Sequence, residues 1–235
     1  MAQRFLLDRR TRGLYLGLLV VGCGGPPGSV VPADAPHLPA GQVAEWVAPT
    51  QPAAHRLYRY RWLYRDDRSS VGGRGSARVA PPDSARLDVT VALGVASGAG
   101  VVVDDTMLWG RPEDLLARFV PDYDLMWAMF GVARVPPSGA VITGADDGVA
   151  RSWRYAHEGD TLAFRLSSGA SPRLDAEVRR GRNVVGRVET QLTATGTPSS
   201  TRLVIPSGPA RLDITFESID TVAPFPADLW APGEP

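Results

Sequence analysis

A few histidines and paired aspartates are the residues of this sequence that could do acid–base or metal chemistry. His157 precedes Glu158-Gly159-Asp160, a run typical of a hairpin turn, so we predict a turn residue rather than a general base. The pairs Asp104-Asp105 and Asp146-Asp147 could bind a cation or act as paired acids, but each lies between two strand-like runs. The sequence therefore predicts neither a catalytic site nor a metal site.

The sequence also has few of the residues and motifs that nucleophilic catalysis or cofactor binding requires. All 25 basic residues are arginine, which excludes lysine Schiff bases and P-loop lysines. The run Gly73 to Ala77 lacks the final glycine of a nucleophile elbow. The 25 acidic residues balance the basic ones, which argues against nucleic-acid binding. We expect no enzyme and no cofactor; a hydrolase would need His157 beside a carboxylate and a hydroxyl in one cleft.

The N-terminus is typical of an exported protein. Four arginines precede an apolar run, Gly13 to Gly22, that is too short to span a bilayer. The following Val20-Val21-Gly22-Cys23 resembles the lipobox of bacterial lipoproteins, and Cys23 is the only cysteine. This resemblance implies a signal peptide over residues 1–22 and lipidation of Cys23; a conventional leader that leaves a free thiol is the alternative. In such lipoproteins an aspartate directly after the cysteine favours retention in the inner membrane. Here that position is Gly24, so an anchor in the outer membrane that faces the periplasm is allowed.

Proline and glycine dominate the next segment, which has no hydrophobic period. Residues 23–42 are therefore predicted to be the lipidated cysteine and a flexible tether, with His37 solvated. The folded domain is expected over residues 43–235, and Val43 to Val47, with Trp46, is predicted to be a first helical turn.

Alternation of apolar and polar residues dominates from residue 57 onward. Tyr58, Tyr60, Trp62 and Tyr64 alternate mainly with arginines, which predicts a strand with one aromatic face. Similar runs recur at residues 74–80, 86–91, 101–103, 107–109, 151–155, 162–166, 174–178, 188–192, 202–205 and 212–216. We predict a mainly β (α+β) fold in which ten or eleven short strands form a curled antiparallel sheet, since a meander of this length must curl or close.

Two short helices are predicted to interrupt the strands between Arg111 and Val132. Pro112 suits the first position of one helix, and Asp122 can cap a second that runs to about Gly131. Residues 125–130 (LMWAMF) leave the second helix almost without a polar side. It is either a core helix or the cover of an apolar space, and the residues alone support both equally.

The order of these elements resembles that of the LolA and LolB lipoprotein carriers. The resemblance rests on the strand RYRWLY, the strand with Arg-Leu-Asp-Val, the Met-Leu-Trp run and the C-terminal segment from Phe225 to Trp230. It covers about residues 45–231. It implies an incomplete barrel with a two-helix lid over a hydrophobic cavity for acyl chains. It also implies that Leu93, with Val95 beside it, forms a membrane-insertion loop, and that a periplasmic carrier protein is a partner.

The residues expected to line the acyl cavity are Tyr60, Trp62, Leu87, Val89, Trp109, Phe119, Met126, Trp127, Met129 and Phe130. The expected function is that of a monomeric, anchored periplasmic protein that binds acyl chains of lipids or lipoproteins without catalysis. The alternative is a structural or interaction lipoprotein with a filled barrel. Arg59, Arg61 and Arg65 are expected to be a solvated face more than a phosphate-binding rim.

Overall fold

The computed structural model describes residues 30–94, 96–113, 116 and 119–231. The predicted signal peptide, Cys23 and Val95 lie outside these residues, and only the backbone of Leu93 is described. Within the described part of the chain, no helix is long and apolar enough to cross a membrane.

A single antiparallel sheet of twelve strands forms most of the molecule, which confirms the mainly β fold. The strands are β1 Arg56–Arg65, β2 Ser70–Ala80, β3 Ser84–Val91, β4 Ser97–Val103, β5 Thr106–Arg111, β6 Ile142–Asp146, β7 Ala150–His157, β8 Asp160–Ser167, β9 Arg173–Arg180, β10 Asn183–Leu192, β11 Pro198–Ile205 and β12 Ala210–Thr221. The helices that the structure describes in full are α1 Ala40–Val47 and α2 Tyr123–Met129, and short 3-10 helices span Ala48–Thr50, Ala92–Gly94 and Ala227–Trp230. The helix predicted to start at Pro112 falls partly outside the described residues. Strand β6 was not among the ten or eleven predicted strands. Its sequence, ITGAD, has a glycine where the alternating pattern would place an apolar side chain.

The sheet consists of two meanders, which we call wings, joined where β1 pairs with β12. The first wing is β1 to β5, the second is β12 back to β6, and β5 and β6 are the two edges. Nine steps separate β4 from β7, and at about 20–25° of twist per step they accumulate about 200°. Opposite ends of the two wings meet, since His157 at the end of β7 lies 3.2 Å from Asp105 in the turn after β4. The sheet is curled like a barrel but is not closed by strand pairing.

Strand β1 shows how the sequence pattern produces the two faces of this sheet. The aromatic side chains from Tyr58 to Tyr64 are buried on the concave face. Arg59, Arg61 and Arg65 lie on the convex face, where each pairs with a carboxylate of β12 at 2.6–3.2 Å. These arginines form a solvated charged face, as expected.

The segment before α1 packs on the sheet, whereas the sequence predicted a tether there. Val31 is fully buried, and the Arg154 guanidinium donates to the carbonyl of Ala33 at 2.8 Å. His37 has an exposed side chain, but its backbone bridges Thr143 of β6. The segment thus covers part of an edge strand whose backbone groups would otherwise be unpaired, and α1 begins at Ala40 rather than Val43.

Candidate functional site

The candidate site is an apolar space between the concave face of the first wing and the chain that crosses it. Its lining residues, none of them charged, are Tyr60, Trp62, Leu87, Val89, Leu116, Phe119, Val120, Met129, Phe130, Leu212 and Ile214. Its volume is only about 20 Å³, which is room for about one water molecule. Pockets for small molecules commonly have about 300–1,000 Å³. The space is therefore closed in this structure.

Aromatic and aliphatic side chains of the cover fill the space. The ring of Phe119 packs at 4.9 Å from Trp62 and 5.5 Å from Tyr64, centroid to centroid. Leu116 lies directly over Gly100 of β4 and Gly110 of β5, where a Cβ atom on either glycine would collide with it. Leu116, Phe119 and Val120 thus form a cover that packs on bare backbone and aromatic rings.

Most of the predicted cavity residues come together here. Seven of the ten line this space, namely Tyr60, Trp62, Leu87, Val89, Phe119, Met129 and Phe130. Leu116, Val120, Leu212 and Ile214 also line it and were not predicted. Leu212 and Ile214 belong to β12, and no local pattern reveals that β12 pairs with β1.

The structure places Trp109, Met126 and Trp127 elsewhere. Trp109 lies on the convex face, where its Nε1 donates to the carbonyl of Trp230 at 3.0 Å. An irregularity in the pairing of β4 with β5, between Val101 and Val102, sets Trp109 opposite Val101. Met126 and Trp127 are buried in α2 but do not border the space.

Helix α2 is held by caps and by close packing on the second wing. Asp122 caps its start by accepting a hydrogen bond from the Asp124 amide at 3.0 Å. Leu125 packs against Gly186 of β10, and Thr190 Oγ1 donates to the carbonyl of Ala128 at 2.8 Å. Residues 124–129 are all buried, so α2 is a core helix whose C-terminal end also borders the apolar space.

A second cluster, which we call the polar clasp, joins the two wings to α2. It comprises Asp104, Asp105, Trp127, Arg134 and His157. Arg134 forms an ion pair with Asp104, and the Trp127 Nε1 donates to the Asp104 carbonyl at 2.5 Å. The guanidinium of Arg134 also lies over the Trp127 ring, 5.4 Å from its centroid. The clasp therefore connects the turn after β4 with the chain around α2.

Carboxylates accumulate beside the clasp. Burial, and then the charges of Asp122 and Asp105, raise the pKa of Asp124 to about 7. Burial also raises the pKa of Asp122. These carboxylates line a polar pocket of about 250 Å³ together with His157. Two of the carboxylates around this pocket have arginine partners, since Asp124 lies 3.6 Å from Arg134 and Asp160 lies 2.6 Å from Arg180.

The sequence did not predict the grouping of Asp105, His157 and Glu158 in this pocket. One ligand atom from each lies within 4.8 Å of the others, and no other such group of three occurs in the part of the chain that the structure describes. Asp105 and His157 are 52 residues apart, so only the curl of the sheet brings them together. The described lining residues include no serine, threonine or cysteine, so the hydrolase alternative lacks such a nucleophile beside His157.

Comparison with solved structures identifies the fold. A LolA superfamily protein from Nitrosomonas europaea superposes with a TM-score of 0.55 at 9% identity, over 83% of this chain and 98% of that one. A DUF1329 family protein from Desulfovibrio piger superposes with a TM-score of 0.50 at 9% identity, over 81% and 95%. No protein-family model and no curated protein matches the sequence. The chain has the LolA-like fold of an incomplete, curled β barrel, as its resemblance to LolA and LolB implied.

Proposed function

We propose that the protein is a lipoprotein of the bacterial envelope that binds an acyl chain of a lipid or lipoprotein in the space beneath Leu116, Phe119 and Val120. One observation carries the proposal: the concave face and its cover enclose a continuous apolar lining without a charged side chain. Such a lining accepts hydrocarbon without desolvating polar groups. Because the space is closed, binding requires the cover to move outward.

Simple energetics predict how long the bound chain must be. Moving Leu116, Phe119 and Val120 into water costs about 1.5–3 kcal/mol each, or about 5–9 kcal/mol together. The roughly fourteen methylenes of palmitate, at about 0.8 kcal/mol each, contribute about 11 kcal/mol, and the roughly six of octanoate contribute about 5 kcal/mol. The proposal therefore predicts selection for long chains.

A chain-length series tests this function. The full chain with Cys23→Ser, which has no acyl group of its own, is titrated with palmitate and octanoate in a calorimeter. We expect saturable binding of palmitate and no detectable binding of octanoate. Failure of palmitate to bind up to its solubility limit would sink the proposal.

We also propose that residues 1–22 are a lipoprotein signal peptide, that Cys23 is acylated, and that the anchor lies in the outer membrane with the domain in the periplasm. The lipobox-like run before the only cysteine supports this. Two or more acyl chains give a stable anchor. Leu93 and Val95, in the loop after β3, are proposed to contact the membrane. Labelled palmitate fed to cells should enter the wild-type protein but not Cys23→Ser, which should leave the membrane fraction.

The cavity volume favours a second candidate function. A space of about 20 Å³ is also what a filled barrel would have, and such a protein would act as a structural or interaction lipoprotein with no ligand. The palmitate titration separates the two functions, because a filled barrel binds no chain of any length.

A further inference from the structure

A groove on the surface reaches the closed interior space from the other side of Trp62. It crosses β1 and β2 beside the C-terminal end of β3 and has a volume of about 570 Å³. Its lining, which is mainly apolar, comprises Arg61, Trp62, Leu63, Gly73, Arg74, Thr90, Val91, Ala92 and Gly94. The groove is thus in the size range of a ligand pocket, whereas the interior space is not.

The indole of Trp62 separates the groove from the interior. Trp62 lines both spaces. On one side its ring lies against the bare backbone of Gly73, where an added Cβ would be 2.9 Å from Cζ2, and its Nε1 donates to the Arg74 carbonyl at 3.1 Å. On the other side it packs against Phe119 at 4.9 Å. One side chain therefore stands between the surface groove and the apolar space.

The charges at the rim of the groove favour an anionic ligand. Arg61 is neutralised by Glu217 at 2.9 Å. Arg74 is exposed, and among the described residues no carboxylate pairs with it. An uncompensated guanidinium beside an apolar groove suits an amphiphile with a hydrocarbon tail and a negative head group.

We propose that this groove is the portal through which an acyl chain with an anionic head group reaches the interior, with Trp62 as the gate and Arg74 as the head-group contact. The inference rests on the proposed function, since it names the route to that site. The tail enters first along Val91 and Ala92, and rotation of the indole joins the groove to the space under Phe119. The head group stays at the rim because the interior offers it no charged partner.

Blocking the groove after folding tests the route. The full chain with Cys23→Ser contains no other cysteine, so Ala92→Cys in that background can be alkylated at one site with a bulky maleimide. Association of the fluorescent fatty acid parinarate is then followed by stopped flow. We expect alkylation to slow association at least about tenfold, because the adduct fills the groove. Arg182→Cys, in the turn between β9 and β10, is the control and should keep its rate when alkylated.

Removing the rim charge tests the head-group contact. Arg74→Gln should slow association of parinarate about two- to fivefold at low salt, since rim charges act mainly on association rates. It should leave the neutral methyl ester unaffected. Arg182→Gln, another exposed arginine, should change neither rate. If the Cys23→Ser protein binds no parinarate, the proposed function fails; if it binds and both groove variants associate at its rate, the portal alone is refuted.

Discussion

Replacing Phe119 by alanine removes the side chain that most directly fills the candidate cavity. Phe119 is 7% exposed and packs on both Trp62 and Tyr64. If Leu116, Phe119 and Val120 must move outward to admit a chain, the phenyl ring is buried in the free protein and displaced in the complex. The substitution should therefore weaken the free protein and strengthen binding.

Both effects have calculable sizes. Phenylalanine-to-alanine changes in a core cost about 3–5 kcal/mol of unfolding free energy, and we expect the lower end because the cover can relax. In the variant, ligand binding no longer exposes a buried phenyl ring to water, so the binding free energy improves by about 1.5–3 kcal/mol. At about 1.4 kcal/mol per tenfold change, the Kd for palmitate should fall about tenfold to a hundredfold.

Urea unfolding measures the loss of stability, and titration with palmitate measures the change in Kd, on the same set of variants. Phe164→Ala is the matched control, because Phe164 is 1% exposed and stacks on Trp153 in the second wing, away from the cavity. It should lose stability without gaining affinity. Displacement of Phe119 on binding is ruled out if Phe119→Ala is destabilised but binds palmitate no more tightly than Phe164→Ala does.

Three further predictions concern the parts that hold the site in place. The pKa of Asp124 is raised to about 7, so the folded state keeps a proton that the unfolded state loses near pH 4. The unfolding free energy should therefore fall as pH rises from about 4 to 7. In Asp124→Asn, the unfolding free energy measured with urea should depend less on pH over this range. The side chain of Glu177 is 1% exposed and forms ion pairs with two arginines of the convex face. Glu177→Gln should therefore lower the free energy of unfolding by about 3–5 kcal/mol; a decrease below about 1 kcal/mol would contradict this. Gly100→Ala should cost about 1–3 kcal/mol by colliding with Leu116, and Leu116→Ala in the same chain should restore part of that loss, whereas simple addition of the two losses would refute the contact.

Local sequence patterns predicted the elements whose physical cause is local. The alternation along β1 places aromatic and charged residues on opposite faces because successive side chains of a strand point in opposite directions. Asp122 was predicted to cap α2 because its side chain can bond an amide two residues on. Both predictions were confirmed, and neither depends on the rest of the fold.

Features that depend on distant residues were missed. The two edges of the sheet were not predicted, because β6 lacks the alternation of the other strands and the pairing of β1 with β12 leaves no local signal. Trp109 was predicted to line the cavity, but it lies on the convex face, beside an irregularity in the pairing of β4 with β5 that no local pattern reveals. The closed interior depends on where Phe119 packs, which is set by rings of β1 more than fifty residues earlier.

A crystal structure of the Cys23→Ser chain with a brominated long-chain fatty acid would show whether an acyl chain enters the interior. We predict anomalous bromine density in the apolar space, in contact with Val89 and Ile214, together with outward movement of Phe119. An unchanged, filled interior at saturating ligand would contradict it.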